Sequence, residues 1–224
     1  MEALFAAVLP LAVGAAISPT LLALQLLVLT GSTRPMARAW ALAAGAALVL
    51  GAFSVLGLTV LDHLRPAEHD HHSLRGALIM FIAGGLLAAL ALRALIRRPT
   101  SAEQQKSRAT GRLDTAPTYW FVGVGALGMV VNFSTLVLFL PALHEITRSS
   151  ADLAARVVAF VVLFVITLLA VLLPVGLVTV FGERATPVLE STHTFVTRHA
   201  RQIGVVIEVA FAVYLIWRGL GELP

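Results

Sequence analysis

The sequence predicts an all-α integral membrane protein in which six transmembrane helices form two inverted three-helix repeats. Apolar residues make up 58% of the 224 residues and charged residues only 12%, against about a quarter in a soluble domain. The mean hydropathy is +0.91. Long apolar segments are separated by short polar ones, and one longer polar segment divides the chain near its middle. These observations place nearly the whole chain in a membrane.

Six apolar segments are long enough to cross a hydrocarbon core about 30 Å thick. They lie near Ala3–Leu29, Ala37–Leu61, Leu74–Ile96, Thr118–Leu140, Asp152–Phe181 and Ala200–Leu220. Alanine and leucine, which favour helices, dominate these segments, and strand signals are absent from the sequence. We therefore predict six transmembrane helices.

The basic residues predict the orientation of these helices. Six crossings bring both termini to one side, where five basic residues lie: Arg65, Arg75, Arg148, Arg156 and Arg218. The other side carries eleven: Arg34, Arg38, Arg93, Arg97, Arg98, Lys106, Arg108, Arg112, Arg184, Arg198 and Arg201. The positive-inside rule places both termini outside. Because the basic residues fall in short loops, the pI near 10.6 does not indicate nucleic-acid binding.

The polar segment divides the chain into two repeats. We predict a first three-helix repeat over residues 1–96, a cytoplasmic linker over 97–117 and a second three-helix repeat over 118–224. "GAAISPTLLALQL" (Gly14–Leu26) aligns with "GMVVNFSTLVLFL" (Gly128–Leu140). Because three crossings reverse the side, the second copy is inverted relative to the first.

A Ser-Pro pair in the first span and an Asn-Phe-Ser-Thr run in the fourth predict a polar cavity at the bilayer centre. Proline inside a helix costs about 3 kcal/mol, and lipid cannot satisfy the freed backbone groups. Interrupted helices in transporters line substrate cavities in this way. The alternative is a simple kink. The predicted cavity residues are Ser18, Pro19, Thr20, Gln25, Asn132, Ser134 and Thr135.

Glu208 is the one acidic residue clearly inside a predicted span. It lies about 10 Å from the cytoplasmic end at a rise of 1.5 Å per residue. Carboxylates in membranes usually face the bundle interior and often relay protons, so we predict a proton-coupling role. In the alternative, Glu208 reaches the interface or pairs with Arg201. His144 and Glu145, at the outer end of the fourth span, reach the interface or form an exit gate.

The outer loop "DHLRPAEHDHHS" (Asp62–Ser73) is rich in imidazole and carboxylate groups, which suit zinc, nickel or cobalt. The candidate ligands are His63, His69, His71 and His72. In the alternative interpretation this is a solvated loop without the fixed geometry that a metal site needs. The chain has no cysteine, which excludes disulfides and thiolate sites.

Three stretches carry a family resemblance: "LPLAVGAAISPTLLALQLLVLTG" at the start, "LLPV" in span five and the closing "YLIWRGL". The chain resembles the sulfolipid- or peptidoglycolipid-addressing (GAP) family of the lysine-exporter superfamily over nearly its whole length. The resemblance implies two three-helix repeats in a bacterial cytoplasmic (inner) membrane. It also implies a role in moving lipids or glycolipids toward the cell envelope, or in supporting their export.

The leading hypothesis is therefore an exporter of a lipid, glycolipid or other amphipathic envelope compound, with membrane lipids as partners. The alternatives are a divalent-metal exporter that collects metal on its histidine-rich loop and a non-transporting scaffold of an export complex. Small residues such as Ala41, Gly45, Gly123 and Gly125 permit close helix packing and would permit a homodimer without requiring one. No arrangement of nucleophile, base and orienting group supports an enzyme, and we expect no cofactor.

Overall fold

The computed structural model describes residues 2–31, 33–63, 74–96 and 116–221. Every regular element among these residues is helical. The α-helices are α1 (Glu2–Ala16), α2 (Pro19–Leu29), α3 (Pro35–His63), α4 (Leu74–Ile96), α5 (Trp120–Val131), α6 (Phe133–Arg148), α7 (Leu153–Thr167), α8 (Leu169–Phe181) and α9 (Thr186–Gly221). A 3-10 turn, Gly182–Ala185, joins α8 to α9. The prediction of an all-helical protein is confirmed.

The helices include between three and six candidate membrane spans. Stretches of three helices are long and apolar enough to cross a membrane by themselves: Pro35–Thr59 of α3, Leu78–Ile96 of α4 and Pro187–Gly221 of α9. The remaining helices form three bent pairs, with angles of 52° between α1 and α2, 71° between α5 and α6, and 72° between α7 and α8. There are six spans if each bent pair counts as one. Helices of this length and hydropathy make the chain a membrane-embedded protein.

The first break lies at the predicted Ser-Pro pair, and its local structure explains how the proline is accommodated. Ser18 has an extended backbone and caps α2, with its Oγ accepting a hydrogen bond from the Leu21 amide at 3.3 Å. Pro19 occupies the first turn of α2. An amide at that position has no partner within the helix, so its absence costs little. The chain therefore ends one helix at Ala16 and starts another at Pro19, which is an interruption at the predicted position.

The second break lies at Asn132, where the fourth predicted span is interrupted. Asn132 both ends α5 and precedes α6, with backbone angles φ −82° and ψ 68° that fit neither helix. Its side chain makes no capping hydrogen bond to the backbone of α6. It is therefore available for contacts with other parts of the molecule. Beyond this break α6 continues to Arg148, past the predicted end at Leu140.

The third break was not predicted. Asp152–Phe181 was expected to be one continuous helix, but the chain bends by 72° at Leu168. The Leu168 amide is shared between the carbonyls of Phe164 and Val165, both at 3.2 Å, which tightens the last turn of α7. Neither proline nor glycine marks this position, since Pro174 lies inside α8. The local sequence therefore lacks the two residue types that most often interrupt a helix.

Several contacts between helices recur when each helix of the first half is replaced by the helix at the corresponding position of the second half. Helix α4 packs along α9, the last helix of each half. Helix α2 contacts α9 and α8, and its counterpart α6 contacts α4 and α3. Helix α1 contacts α7, and its counterpart α5 contacts α3. The last helix, α9, begins at Thr186, well before the Ala200 predicted, because about four turns of mixed polar and apolar residues precede its continuous apolar part.

Helices α3 and α5 cross with their backbones in close contact. A Cβ added to Gly45 would overlap the Val122 carbonyl, and one added to Gly125 would overlap the Leu42 carbonyl. Arg38, at the start of α3, lies over the Phe121 ring at 5.0 Å and donates to the Ala116 carbonyl at 2.8 Å. This crossing holds α5, and with it the Asn132 break, against the first half of the chain.

Candidate functional site

The first two helix breaks meet inside the protein. The Asn132 Nδ2 group donates to Ser18 Oγ at 2.8 Å and to Thr135 Oγ1 at 2.6 Å. Ser18 and Thr135 are only 4% and 2% exposed. Hydrogen bonds between buried polar groups are specific because a lost partner cannot be replaced by water. The polar residues predicted from the two repeats are therefore in direct contact across the halves.

The second half also satisfies a backbone carbonyl at the end of α1 in the first half. The Thr135 hydroxyl of α6 donates to the Ala15 carbonyl, at the end of α1, at 2.9 Å. The last carbonyls of a helix have no partner within it, so a donor from outside stabilises the helix end. We refer to Ser18, Asn132 and Thr135 as the polar bridge.

Glu208 of α9 lies next to the polar bridge. Ser134 Oγ donates to Glu208 Oε1 at 2.6 Å, whereas Oε2 is buried and has no hydrogen-bond partner within the described residues. Ser134 is in the first turn of α6, so the carboxylate lies near the positive end of that helix dipole. The carboxylate is therefore directed into the helix bundle.

Arg201 does not pair with Glu208, which was the alternative prediction. Its Nε and Nη2 groups donate to the Ala94 and Leu95 carbonyls of α4 at 2.8 Å and 2.6 Å. A guanidinium group at this position satisfies open carbonyls and complements the negative end of the helix. Arg201 thereby joins the end of α4 to α9, a contact that the sequence analysis did not predict.

Two cavities meet at this cluster. The first, which we call the polar cavity, has a volume of about 180 Å³, and its polar lining comprises Thr20, Asn132, Ser134, Arg201 and Glu208. The second has a volume of about 460 Å³ and extends between apolar side chains that include Leu24, Leu90 and Val124. Thr20, Asn132, Ser134 and Glu208 line both cavities. These four residues form the boundary between the two spaces.

Not every predicted site residue reaches this cluster. Gln25 is fully buried and lines neither cavity; its Nε2 group donates to the Ala39 carbonyl at 3.2 Å and braces α2 against α3. His69, His71 and His72 lie outside the described residues. His63 is the last residue of α3, and its side chain is likewise outside the description. The described part of the chain contains no cluster of three or more potential metal ligands.

An ion pair joins α6 to α9 near the C-terminal ends of both helices. Arg218 Nη2 of α9 lies 3.0 Å from Glu145 Oε1 of α6, and Arg218 Nη1 donates to the Tyr214 hydroxyl at 2.9 Å. The two charged side chains are 22% and 11% exposed. Because they are largely shielded from water, their attraction is screened less than that of a surface pair. The pair holds α6 to α9 beyond Glu208.

Apolar helices that break inside the bundle and meet at a buried polar bridge define an integral membrane protein of interrupted helices. Residues 8–221 match the family model described as "Sap, sulfolipid-1-addressing protein", and the chain belongs to this family. Comparison with curated proteins and with solved structures gave no match. The sulfolipid-addressing family predicted from the sequence is confirmed, and the chain is a membrane protein tied to sulfolipid addressing.

Proposed function

We propose that this chain moves a lipid, glycolipid or other amphipathic envelope compound across the membrane through the cavities at its two central helix breaks. The observation that carries the proposal is the 2.8 Å hydrogen bond from Asn132 to Ser18, which joins the two breaks. Broken helices in secondary transporters expose helix ends and polar side chains to a substrate in just such a place. Here α2 begins at Pro19 and α6 begins at Phe133, and both of these helix N-termini lie beside the polar bridge.

The architecture that fits this function is a pair of inverted three-helix repeats. The exchange of helix contacts between the halves supports it, because α2 packs on α9 and α8 as α6 packs on α4 and α3. Transporters of this type open alternately by rocking one repeat against the other. The polar bridge, which joins the two repeats by few hydrogen bonds, is suited to such a motion.

Six spans would place both termini on the same side of the membrane, and the distribution of basic residues favours the outer side. Two substituted cysteines test this orientation. The chain has no native cysteine, so each variant carries a single thiol. Thr33 and Ser150 are exposed residues in the connections between α2 and α3 and between α6 and α7. In intact spheroplasts an impermeant maleimide should label the Ser150→Cys protein and reach Thr33→Cys only after permeabilisation. The reverse pattern would contradict the proposed orientation.

The direct test of transport uses vesicles that contain the purified protein and a glycolipid with a fluorescent acyl chain. External dithionite destroys the fluorescence only of lipid in the outer leaflet. Lipid that moves from the inner to the outer leaflet therefore appears as a loss of fluorescence beyond that of the outer leaflet alone. We expect this loss in vesicles with the protein and not in protein-free vesicles. Equal curves would contradict transport and favour a scaffold of an export complex.

Glu208 is the residue that would couple this movement to protons. Glu208→Gln keeps an oxygen that can accept from Ser134 but removes the ability to take up and release a proton. We expect an imposed proton gradient to accelerate lipid movement by the unaltered protein and to have no effect on Glu208→Gln. Glu2→Gln, at an exposed position of α1, is the matched control and should respond normally. A gradient response retained by Glu208→Gln would remove Glu208 from the coupling step.

A further inference from the structure

A third space, which we call the apolar groove, lies between the first and third helix breaks. It has a volume of about 280 Å³. Its lining includes Ile17, Pro19 and Leu22 at the first break, and Leu169, Ala170 and Leu173 at the start of α8. The groove ends against Val196 and Ile203 of α9. The role proposed for the polar bridge gives no function to this groove or to the bend at Leu168.

The groove offers an almost entirely apolar surface to an occupant. Its one polar side chain is Ser18, which is 4% exposed and already bonded to the Leu21 amide and to Asn132. An occupant with polar groups would lose its hydrogen bonds to water on entering and gain none in return. The groove therefore suits a hydrocarbon chain.

The groove adjoins the polar cavity. Ile17 and Pro19 line both spaces and therefore lie at the boundary between them. One molecule with a polar headgroup and an apolar chain would span this boundary. Such a division matches the two ends of an amphipathic lipid.

The mouth of the groove faces outward from the bundle. Ile17, Leu169 and Leu173 are 43%, 39% and 52% exposed, and in a membrane-embedded protein such apolar residues contact lipid tails. An acyl chain can therefore enter sideways from the bilayer without crossing the polar cavity. The 72° bend between α7 and α8 brings Leu169 and Leu173 to the first break and so forms one wall of the groove.

We propose that the apolar groove binds an acyl chain of the molecule whose headgroup occupies the polar cavity. This inference rests on the proposed transport of an amphipathic compound and assigns the two ends of that compound to two subsites. It also assigns the third helix break to chain binding, a role separate from the polar bridge.

A pair of matched variants tests the groove in the vesicle assay. Ala170→Phe places a ring in the groove, whereas Ala210→Phe places the same ring on the exposed face of α9. We expect Ala170→Phe to reduce lipid movement to the rate of protein-free vesicles and Ala210→Phe to leave it unchanged. Unchanged transport by a folded Ala170→Phe protein would overturn the groove and leave the proposed function standing.

Crosslinking tests the same inference on the unaltered chain, so it does not depend on how the variants fold. The probe is a glycolipid with a diazirine in its acyl chain. We expect adducts on Leu22, Leu169 or Leu173 that excess unlabelled glycolipid removes but excess hexadecane does not. Adducts on Val206 and Val213, exposed on α9, report ordinary contact with bulk lipid.

The outcomes separate the two proposals. If groove adducts resist competition in the same way as the expected background adducts on Val206, the groove contacts bulk lipid only. That result would overturn the proposal that the groove binds an acyl chain of the transported molecule. Competed groove adducts without any movement of fluorescent lipid would contradict the proposed transport and support the groove as a binding site. Competed adducts together with movement blocked by Ala170→Phe would support both.

Discussion

Replacing Asn132 with leucine is expected to abolish lipid movement while the protein remains folded. Leucine has a similar size but cannot donate the hydrogen bonds to Ser18 at 2.8 Å and Thr135 at 2.6 Å. Each lost hydrogen bond should cost about 1 kcal/mol of stability, which most folded proteins tolerate. The two breaks would lose their connection, and the boundary between the two cavities would lose its central polar group. The measurement is lipid movement in vesicles, together with the thermal unfolding midpoint in detergent.

The matched control for this variant is Gln202→Leu, which removes a carboxamide from an exposed position of α9. It should retain both transport and stability. A partial recovery of transport in Asn132→Gln would show that the carboxamide, and not the volume of the side chain, is required. Normal transport by Asn132→Leu would contradict the central role of the polar bridge.

Gly125→Ala is expected to destabilise the protein strongly, although it adds only one methyl group. Its Cβ would overlap the Leu42 carbonyl, which belongs to the backbone of α3 and cannot rotate away. The helices α3 and α5 must therefore separate, and overpacking of this kind costs about 1–3 kcal/mol. Because α5 ends at Asn132, the separation should also disturb the polar bridge. A lower unfolding midpoint in detergent, with reduced transport, is the expected measurement.

Gly123 provides a control on the same helix. It is exposed, and a Cβ added there meets nothing within 4 Å. Gly123→Ala should raise stability by up to about 1 kcal/mol, because alanine favours a helix more than glycine does. Equal shifts of the unfolding midpoint in Gly123→Ala and Gly125→Ala would contradict the close backbone contact between α3 and α5.

The sequence predicted the interruption of the first and fourth spans because both positions carry a local signal. Ser18 and Pro19 are typical of a helix start, and the aligned run from Asn132 supplies polar groups inside an apolar segment. Leu168 carries neither proline nor a capping pair. The residue before it, Thr167, is buried and donates its hydroxyl to the Leu163 carbonyl at 2.7 Å, a bond that often bends helices but is a weaker signal than proline. Gln25 lies near the same break, but local sequence could not tell that its side chain bonds to the Ala39 carbonyl of α3 and lines neither of the two cavities.

By itself, the sequence determined that the chain is helical, membrane-embedded and polar at two matched positions, because composition and short-range patterns report burial in lipid and helix starts. Only the tertiary structure decided which polar groups meet. Asn132 and Ser18 are 114 residues apart, and Ser134 and Glu208 are 74 apart. Such contacts depend on how helices cross, and that depends on side-chain packing along whole helix faces, which no local pattern encodes. The apolar groove follows from the same packing, because its walls come from the α1–α2 pair, from α8 and from α9.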